Sequence, residues 1–356
     1  MLLVAPSLAG VGGIEASGRL AWERLSSPHR SRDTARLFCY GAVVPDVDEG
    51  ARATVIHARS KVGAALLAAT MPWPDRGALI WHLGLLKLLP FLRLRRARIG
   101  LFLHGIEAWR RLDPWSRRLL RRVDVFLTNS THTWREFLRF NPEWSAVRPR
   151  TVQLGVGSPV VGPLPAPDSR PIVLMLSRLV TSEDYKGHRE VIRAWPRVLA
   201  RRPDAELWIA GDGDLRPDLE SNARALGPPG AAIRFVGTVS ELDKQALLTR
   251  CRCLAMPSRS EGFGLVYLEA MRLGRPCLVG TEDAGREVVN PPEAGVAVRP
   301  DDPGELTDGL CRLLGAGVAW ERLAGQARRR YEQAFTAAHF QLRLEDALRD
   351  AGMLDG

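Results

Sequence analysis

The chain has 356 residues, of which 46% are hydrophobic and 25% charged, and its formal net charge is +10. This length exceeds one ordinary core and predicts two domains of a globular protein. No segment approaches the ~18 uninterrupted apolar residues of a membrane-spanning helix, which excludes that class.

The N-terminal sequence and the cysteines indicate the compartment. Residues 1–10, MLLVAPSLAG, lack the basic region of a signal peptide and predict a first strand and its loop. The pair Cys251-x-Cys253 lacks the second pair that a zinc site needs. Since the cysteines are odd in number and scattered, we expect buried thiols in a reducing cytoplasm. They are Cys39, Cys251, Cys253, Cys277 and Cys311.

In the first half of the chain, short apolar runs alternate with longer amphipathic segments. This alternation predicts parallel strands joined by crossover helices. We predict strands at 2–5, 35–40, 54–57, 78–81, 98–103, 125–128 and 151–153, and helices at 14–25, 63–69, 115–121 and 132–140.

Two motifs in this half follow predicted strands. Gly12 and Gly13 open the first helix, where the backbone can approach a ligand closely, although a glycine cluster alone is weak evidence. His104 ends the strand at 98–103, and Gly105 and Glu107 follow it. A histidine there can exchange a hydrogen bond with a substrate hydroxyl, and a purely structural histidine is the alternative.

The positive charge is concentrated in the first half. Residues 1–165 hold 24 Lys and Arg against 12 Asp and Glu, whereas the remainder holds 26 against 28. Ten arginines lie between residues 93 and 122, directly after the apolar stretch LGLLKLLPFL at 83–92. This combination suits an anionic membrane surface, and the alternative is a coding bias toward arginine with a buried helix start. We expect no nucleic acid partner, because no recognised motif accompanies the charge.

A proline-rich segment at 157–171 separates the two halves and predicts an interdomain linker. The alternation then restarts. We predict strands at 172–177, 206–210, 233–236, 253–256, 276–279 and 295–298, and helices at 188–201, 214–226, 241–249, 265–273, 303–314, 320–335 and 337–351. The expected organisation is an N-terminal domain at 1–160, a linker at 161–171 and a second domain at 172–335. We expect the C-terminal helix at 336–356 to pack back on the N-terminal domain.

This pattern predicts an α/β protein with two doubly wound domains facing a cleft, and ligands at the carboxyl ends of the strands. Arg178 follows the first strand of the second domain, and Lys186 and Gly187 come shortly after it. A guanidinium fork and an ammonium together suit a diphosphate, although each cation alone is more simply a solvated charge.

The segment EGFGLVYLE at 261–269 is the most informative motif. Gly262, Phe263 and Gly264 form a turn before a helix that starts at Leu265, and the start of a helix is a favourable seat for a phosphate. Glu261 and Glu269 bracket that seat, where carboxylates can accept hydrogen bonds from sugar hydroxyls. The alternative is that Glu269 is a solvated helix residue and that Glu261 only interacts with the dipole of the first helical turn.

Two further loops follow strands of the second domain. The step from Phe235 to Val239, which includes Gly237, can contact a nucleobase through its backbone. Asp212-Gly213-Asp214 has the letters of a metal-binding motif, but we interpret it as a turn before a helix.

Taken in this order, the motifs resemble those of retaining glycosyltransferases of the GT-B fold, family 4, of the bacterial polysaccharide-assembly type. The resemblance covers essentially the whole chain. It is carried by the E-x7-E motif at 261–269, Arg178 with Lys186-Gly187, Gly12-Gly13, and His104-Gly105-x-Glu107.

The resemblance implies a hexosyltransferase that uses a nucleoside diphosphate sugar and requires no metal or other cofactor. GDP-mannose is the first expectation for the donor, and a UDP-sugar is the second. The expected catalytic residues are His104, beside the reacting sugar, Arg178 and Lys186 on the diphosphate, and Glu261 on the transferred sugar.

The remaining expected contacts are with substrates. The resemblance implies that the backbone at Gly262, Phe263, Gly264 and Leu265 assists at the diphosphate, with Glu269 on the ribose, Gly237 and Val239 at the base, and Gly12, Gly13 and Glu107 near the diphosphate and acceptor. One departure from the commonest family pattern is the insertion of residues 180–185 between Arg178 and Lys186.

The basic first half predicts a saccharide acceptor linked to a polyprenyl diphosphate, at the inner face of the plasma membrane. No residue stands out as a covalent nucleophile, so we expect a same-side substitution with retained configuration. Two alternatives remain: a UDP-sugar-dependent transferase acting on a soluble small molecule, and a non-catalytic protein that binds nucleotide sugars. A phosphorylase with pyridoxal phosphate is disfavoured by the short length.

Overall fold

The computed structural model describes residues 1–10, 12–27, 35–41, 53–73, 76–92, 94 and 96–354. The chain forms two units, Met1–Gly155 with Ala337–Gly356 and Val156–Thr336. Each unit is built on a parallel sheet, as the alternation of strands and helices predicts. Arg93 and Arg95 of the predicted basic cluster lie outside the described residues.

Within the described residues, the first unit contains a seven-stranded sheet of order β3-β2-β1-β4-β5-β6-β7. The apolar run at the N-terminus of the chain forms an inner strand of this sheet, where Leu3 lies opposite Leu37 on one side and Leu79 on the other. The strands are β1 (Leu2–Pro6), β2 (Ala35–Tyr40), β3 (Ala53–Ala58), β4 (Gly77–Ile80), β5 (Arg98–Leu103), β6 (Val125–Thr128) and β7 (Arg150–Thr151).

Side-chain caps fix where the helices of this unit begin. Ser60, Asp113 and Ser130 each accept a hydrogen bond from a backbone N–H in the first helical turn, at 2.9 to 3.0 Å. The helices are α1 (Gly13–Ser26), α2 (Lys61–Thr70), α3 (Pro114–Leu120) and α4 (Thr131–Phe140).

The sequence left two surroundings open for the apolar stretch at 83–92, a membrane surface and the protein core, and the structure shows the core. It begins with a 3₁₀ helix at Leu83–Leu88, and its leucines belong to the core of the first unit. Leu86 and Leu89 are fully buried, whereas Phe91 is 44% exposed. Because these leucines pack inward, most of the apolar surface that the sequence suggested for a membrane is absent from the described surface.

Among the described residues, the second unit contains a six-stranded sheet of order β10-β9-β8-β11-β12-β13. The first strand of the unit is again an inner strand, with Val173 opposite Leu207 and Cys253. The strands are β8 (Ile172–Leu176), β9 (Glu206–Ala210), β10 (Ile233–Gly237), β11 (Cys253–Met256), β12 (Cys277–Gly280) and β13 (Gly295–Val298).

The helices of this unit follow the prediction, with differences at their ends. The predicted helix at 214–226 begins at Arg216, because Asp214 instead accepts two hydrogen bonds from Thr181. The helices are α5 (His188–Arg201), α6 (Arg216–Ala225), α7 (Glu241–Arg250), α8 (Leu265–Arg272), α9 (Gly285–Val289), α10 (Pro303–Leu313) and α11 (Val318–Ala334). The sequence analysis missed α9, which is too short to show a helical period.

The last helix, α12 (Ala337–Asp350), returns to the first unit, as predicted. Its buried Glu345 forms an ion pair with Arg24 of α1. Gln341 donates a hydrogen bond to the Leu20 carbonyl at 3.1 Å. These contacts join the two ends of the chain in one unit.

The cysteines are as predicted: all five are buried and carry free thiols. No helix in the part of the chain that the structure describes is long and apolar enough to cross a membrane.

Candidate active site

In the second unit, the predicted donor residues come from loops that follow neighbouring strands. Arg178 follows β8 and Glu261 follows β11, and these two strands pair in parallel. Because the carboxyl ends of parallel strands meet at one edge of the sheet, the two loops share that edge.

The Gly-rich turn before α8 has a conformation that requires glycine. Gly264 has a φ of +84°, and a Cβ at this position would lie 2.3 Å from the Tyr267 ring. Gly264 provides no side-chain cap, and α8 begins directly afterwards at Leu265. The first N–H groups of this helix therefore point out of the turn as donors for an anion.

Tyr267 holds this turn in place, and the sequence analysis did not identify it. Its side chain is fully buried, and its hydroxyl donates a hydrogen bond to the Met256 carbonyl at 2.8 Å. The ring lies beneath Gly264 and Gly285. A tyrosine in the buried face of a helix just after a Gly-rich turn is the signal that could have indicated this role, since a buried hydroxyl needs a partner.

Glu261 is partly buried beside Lys186. Burial raises the pKa of Glu261, while the charge of Lys186 and hydrogen bonds from the Phe263 and Gly262 amides oppose that rise. Phe263 is itself buried and packs edge-on against Phe335 at a centroid distance of 6.2 Å. The carboxyl group is thus held at the start of α8 by backbone amides and a nearby cation.

Arg178 and Lys186 meet through a residue of the inserted segment. Glu183 forms an ion pair with Arg178, and its Oε2 lies 2.6 Å from Lys186 Nζ. The Arg178 side chain is 76% exposed, whereas those of Glu183 and Lys186 are 12% and 15% exposed. The structure therefore brings the two predicted cations together, with a carboxylate between them that the sequence analysis did not single out.

Glu269, the second acid of the E-x7-E motif, is paired with a lysine from α7. Lys244 Nζ lies 2.7 Å from Glu269 Oε1 and 2.7 Å from Glu241 Oε2. Burial raises the pKa of Glu269, and Lys244 opposes the rise. The sequence analysis missed Lys244, because this lysine lies in a different helix from Glu269 and is distant from it in the sequence.

The loop expected at the nucleobase contains Gly237, whose carbonyl accepts a hydrogen bond from the Gly211 amide at 2.8 Å. Val239 is partly buried just before α7. The neighbouring Asp212 accepts from the Gly213 amide at 2.8 Å and pairs with Arg216 at 2.9 Å, which is the turn that the sequence predicted. No group of three or more His, Cys, Asp and Glu side chains within the described ranges is arranged to hold a metal ion.

Asp283 is a second acid close to Glu261 that the sequence analysis overlooked. Its side chain is 3% exposed, and its Oδ1 accepts a hydrogen bond from the Gly285 amide at 2.9 Å. Burial and then the charge of Glu261 raise the pKa of Asp283 well above its usual range. This position favours the protonated carboxyl group.

In the first unit, Gly12 and Gly13 lie at the start of α1, as predicted. Gly12 precedes the helix without a side-chain cap, and its carbonyl accepts from the Ala16 amide at 3.0 Å. The Glu15 carboxylate folds over Gly12. The helix start thus already has an anionic side chain next to it.

His104 lies directly after the end of β5, and its side chain is buried. Its Nε2 lies 2.7 Å from the Trp81 carbonyl oxygen, which can only accept, so Nε2 carries the proton and Nδ1 is left as an acceptor. Burial lowers the pKa of His104 to about 3, which keeps the ring neutral. Glu107 accepts a hydrogen bond from the His104 amide at 2.6 Å and so supports this turn.

Trp81 connects these two motifs, and the sequence analysis treated it only as the end of a strand. Its indole N–H donates to the Ile14 carbonyl in the first turn of α1 at 3.1 Å. Its ring lies edge-on to His104 at a centroid distance of 5.0 Å. Through this fully buried side chain, the start of α1 and His104 form one cluster within the first unit.

Comparison with known proteins shows what the second half of the chain resembles. Residues 170–316 match the family model described as glycosyl transferases group 1. A Corynebacterium glutamicum protein, the GDP-mannose-dependent monoacylated alpha-(1-6)-phosphatidylinositol monomannoside mannosyltransferase, is 32% identical over 237 residues, which are 59% of this chain and 59% of that protein. The phosphatidyl-myo-inositol mannosyltransferase of Mycobacterium tuberculosis is 33% identical over 188 residues, which are 51% of this chain and 48% of that protein.

The chain therefore matches about half the length of these curated relatives. Among solved structures, HepE from Anabaena, in complex with UDP and glucose, has a TM-score of 0.74 at 17% identity and covers 98% of this chain and 99% of its own. The lipopolysaccharide outer core galactosyltransferase WaaB has a TM-score of 0.71, also at 17% identity, with the same coverage. Residues 170–316 are thus similar to the group 1 glycosyltransferases, and the chain has the GT-B fold of these solved structures.

Proposed function

We propose that this protein is a retaining hexosyltransferase that moves a sugar from a nucleoside diphosphate to a hydroxyl group of a saccharide acceptor. The observation that carries the proposal is the grouping of Glu261 and the uncapped start of α8 with Lys186 and Arg178 at one sheet edge. Cations and helix N–H groups are suited to a diphosphate, and a carboxylate beside them is suited to sugar hydroxyls.

In the proposed reaction, the bond from the anomeric carbon to the phosphate oxygen breaks, and a bond to the acceptor oxygen forms on the same face. The leaving phosphate takes the proton of the acceptor hydroxyl. Arg178, Lys186 and the amides of Gly264 and Leu265 stabilise the charge that develops on the diphosphate, while the Gly262 and Phe263 amides hold Glu261. Groups that are held in position before the reaction are commonly the largest electrostatic contribution to catalysis.

The remaining assignments follow the same scheme. Glu261 contacts the transferred sugar, Glu269 the ribose, and the loop of Gly237 and Val239 the base. The first unit binds the acceptor through Gly12 and Gly13 at the start of α1 and through His104, which offers its neutral Nδ1 to a sugar hydroxyl, with Glu107 supporting the turn. The neutral state of His104 supports an acceptor role in that hydrogen bond.

GDP-mannose is the proposed donor, because two of the relatives are named as mannosyltransferases and one of these as GDP-mannose-dependent. A thermal-shift screen with GDP, UDP, ADP and their sugars tests this, since ligand binding to the folded state raises its apparent stability. We expect GDP and GDP-mannose to give the largest shifts. A larger shift with UDP-sugars would replace the donor, and no shift with any nucleotide would contradict the function.

We propose a lipid-linked saccharide as the acceptor, bound at an anionic membrane surface. The support is the exposed arginines of the first unit, among them Arg110, Arg111, Arg118, Arg121 and Arg122. The half-exposed Trp115 lies in the same helix, α3, as Arg118. Co-sedimentation with anionic and neutral vesicles at low and high salt tests this: binding should require anionic lipid and weaken with salt. Binding to neither kind of vesicle, or equal binding to both kinds, would favour a soluble acceptor.

A further inference from the structure

The inserted segment between Arg178 and Lys186 places one carboxylate against both cations. Glu183 pairs with Arg178 through one oxygen, and its other oxygen lies 2.6 Å from Lys186 Nζ. The two cations that the proposed function assigns to the diphosphate therefore already have an anionic partner from the chain itself. A carboxylate and a phosphate compete for the same donors of guanidinium and ammonium groups.

The backbone that carries Glu183 is anchored on both sides. Thr181 donates to Asp214 through its amide and its hydroxyl, both at 2.9 Å. At the other side, the Tyr185 carbonyl accepts from the Arg259 amide at 3.0 Å. Glu183 is thus held beside Lys186 by the fold rather than by a chance side-chain conformation.

The residue after Lys186 strengthens this anchoring. Gly187 has a φ of +86°, and a Cβ there would lie 2.5 Å from the Pro257 carbonyl oxygen. The turn therefore fits closely against the loop after β11, and this contact fixes the backbone position of Lys186. Of the three charged side chains, only Arg178 is largely exposed, so it is the one that can change partner most readily.

We propose that Glu183 is an internal competitor for the donor diphosphate. In the free protein its carboxylate pairs with both Arg178 and Lys186. A bound diphosphate takes over these cations and is repelled by the charge of Glu183. The affinity for both donor and nucleoside diphosphate product is lowered in this way, which favours release of the product after each transfer. This inference rests on the proposed function, because it assumes that a diphosphate binds at these cations.

The variant E183Q keeps the shape of the side chain and removes its charge. We expect it to bind GDP, UDP and inorganic pyrophosphate at least tenfold more tightly than the wild type, measured by isothermal titration calorimetry, and to show a lower KM for the donor. E183D keeps the charge and should stay close to the wild type. A residue that merely positions Lys186 would give the opposite result, because its loss would weaken binding and raise KM.

Asp184 provides a matched control in the same segment. It pairs with Arg189 at 2.9 Å, rather than with Arg178 or Lys186, so D184N should leave pyrophosphate affinity unchanged. Unchanged or weaker pyrophosphate binding by E183Q, in a variant whose thermal melt shows that it is folded, would overturn the inference. Failure of the wild type to bind any nucleoside diphosphate would instead refute the proposed function, and the pyrophosphate comparison would still decide whether Glu183 competes with an anion.

Discussion

Lys244 Nζ lies 2.7 Å from Glu269 Oε1, so the second acid of the E-x7-E motif is held by a cation from the neighbouring helix α7. This pair is partly buried, with 15% of the Lys244 side chain and 27% of the Glu269 side chain exposed. Lys244 opposes the rise in the pKa of Glu269 that burial causes. The lysine thereby favours the ionised carboxylate, which in the proposed function accepts hydrogen bonds from the ribose.

We predict that Lys244→Met weakens nucleoside diphosphate binding by about tenfold or more, the scale of a lost hydrogen bond to a charged group. Without the lysine the pKa of Glu269 rises further, so the loss should grow as the pH falls from 8 to 5.5. Calorimetric titrations across this range measure it. Lys61→Met, at an exposed position of α2, is the control. Wild-type affinity of Lys244→Met at every pH would contradict the role of the pair.

The proposed catalytic role of Glu261 and Arg178 predicts a large loss of transfer on truncation. Glu261→Ala and Arg178→Ala should each reduce the transfer rate by on the order of 100-fold or more, because each removes a contact to the transition state. Rates are measured with radiolabelled donor and saccharide acceptor. The exposed Glu282→Ala and Arg224→Ala serve as controls. Near-normal turnover by either truncated variant would refute its assignment.

The hydrogen bond from Tyr267 to Met256 predicts a combined loss of stability and ligand binding. Tyr267→Phe leaves the buried Met256 carbonyl without this donor and should lower the free energy of unfolding by about 1–3 kcal/mol. The hydroxyl anchors the ring that lies under the Gly-rich turn, so nucleotide affinity should fall as well. Urea unfolding and calorimetry measure the two effects.

Tyr331 offers a control of the same chemistry. Its hydroxyl donates to the Val156 carbonyl at 2.7 Å, and Tyr331→Phe should lose comparable stability. Its nucleotide affinity should remain that of the wild type, since α11 does not carry the turn. Equal losses of affinity in both variants would show that the effect of Tyr267→Phe is general destabilisation.

We predict that neutralising Asp283 raises the Tm of the protein in a pH-dependent way. Its pKa is raised in the folded state, so its contribution to stability is fully present below the unfolded value, near 3.8, and is lost as the pH rises through the folded value. Asp283→Asn removes this loss and retains an oxygen that can accept from Gly285. The Tm should therefore rise relative to the wild type at pH 7.5, and the difference should vanish near pH 3.5. Glu282→Gln, the exposed neighbour, should show no such trend, and a Tm decrease at pH 7.5 for Asp283→Asn would contradict the reasoning.

Much of the fold could be predicted because its signals are local. The apolar runs that became β1 and β8 are buried as inner strands of their sheets, and the helices between strands follow the amphipathic pattern. The sequence analysis left the outcome open where a segment had two possible surroundings. The leucines at 83–92 suit a lipid surface or a protein core equally well, and only packing against the first unit decided for the core.

The order and spacing of the motifs determined by themselves that this chain resembles family 4 glycosyltransferases, and they identified Arg178, Lys186, Glu261 and Glu269. Only the tertiary structure decided what surrounds these groups. Lys244 pairs with Glu269, Tyr267 supports the turn, Asp283 lies beside Glu261, and Trp81 links the two motifs of the first unit. The reason is physical: a pKa or an ion pair depends on distance and burial in space. Most of these partners come from separate elements of the chain, so their distances are set only by the fold.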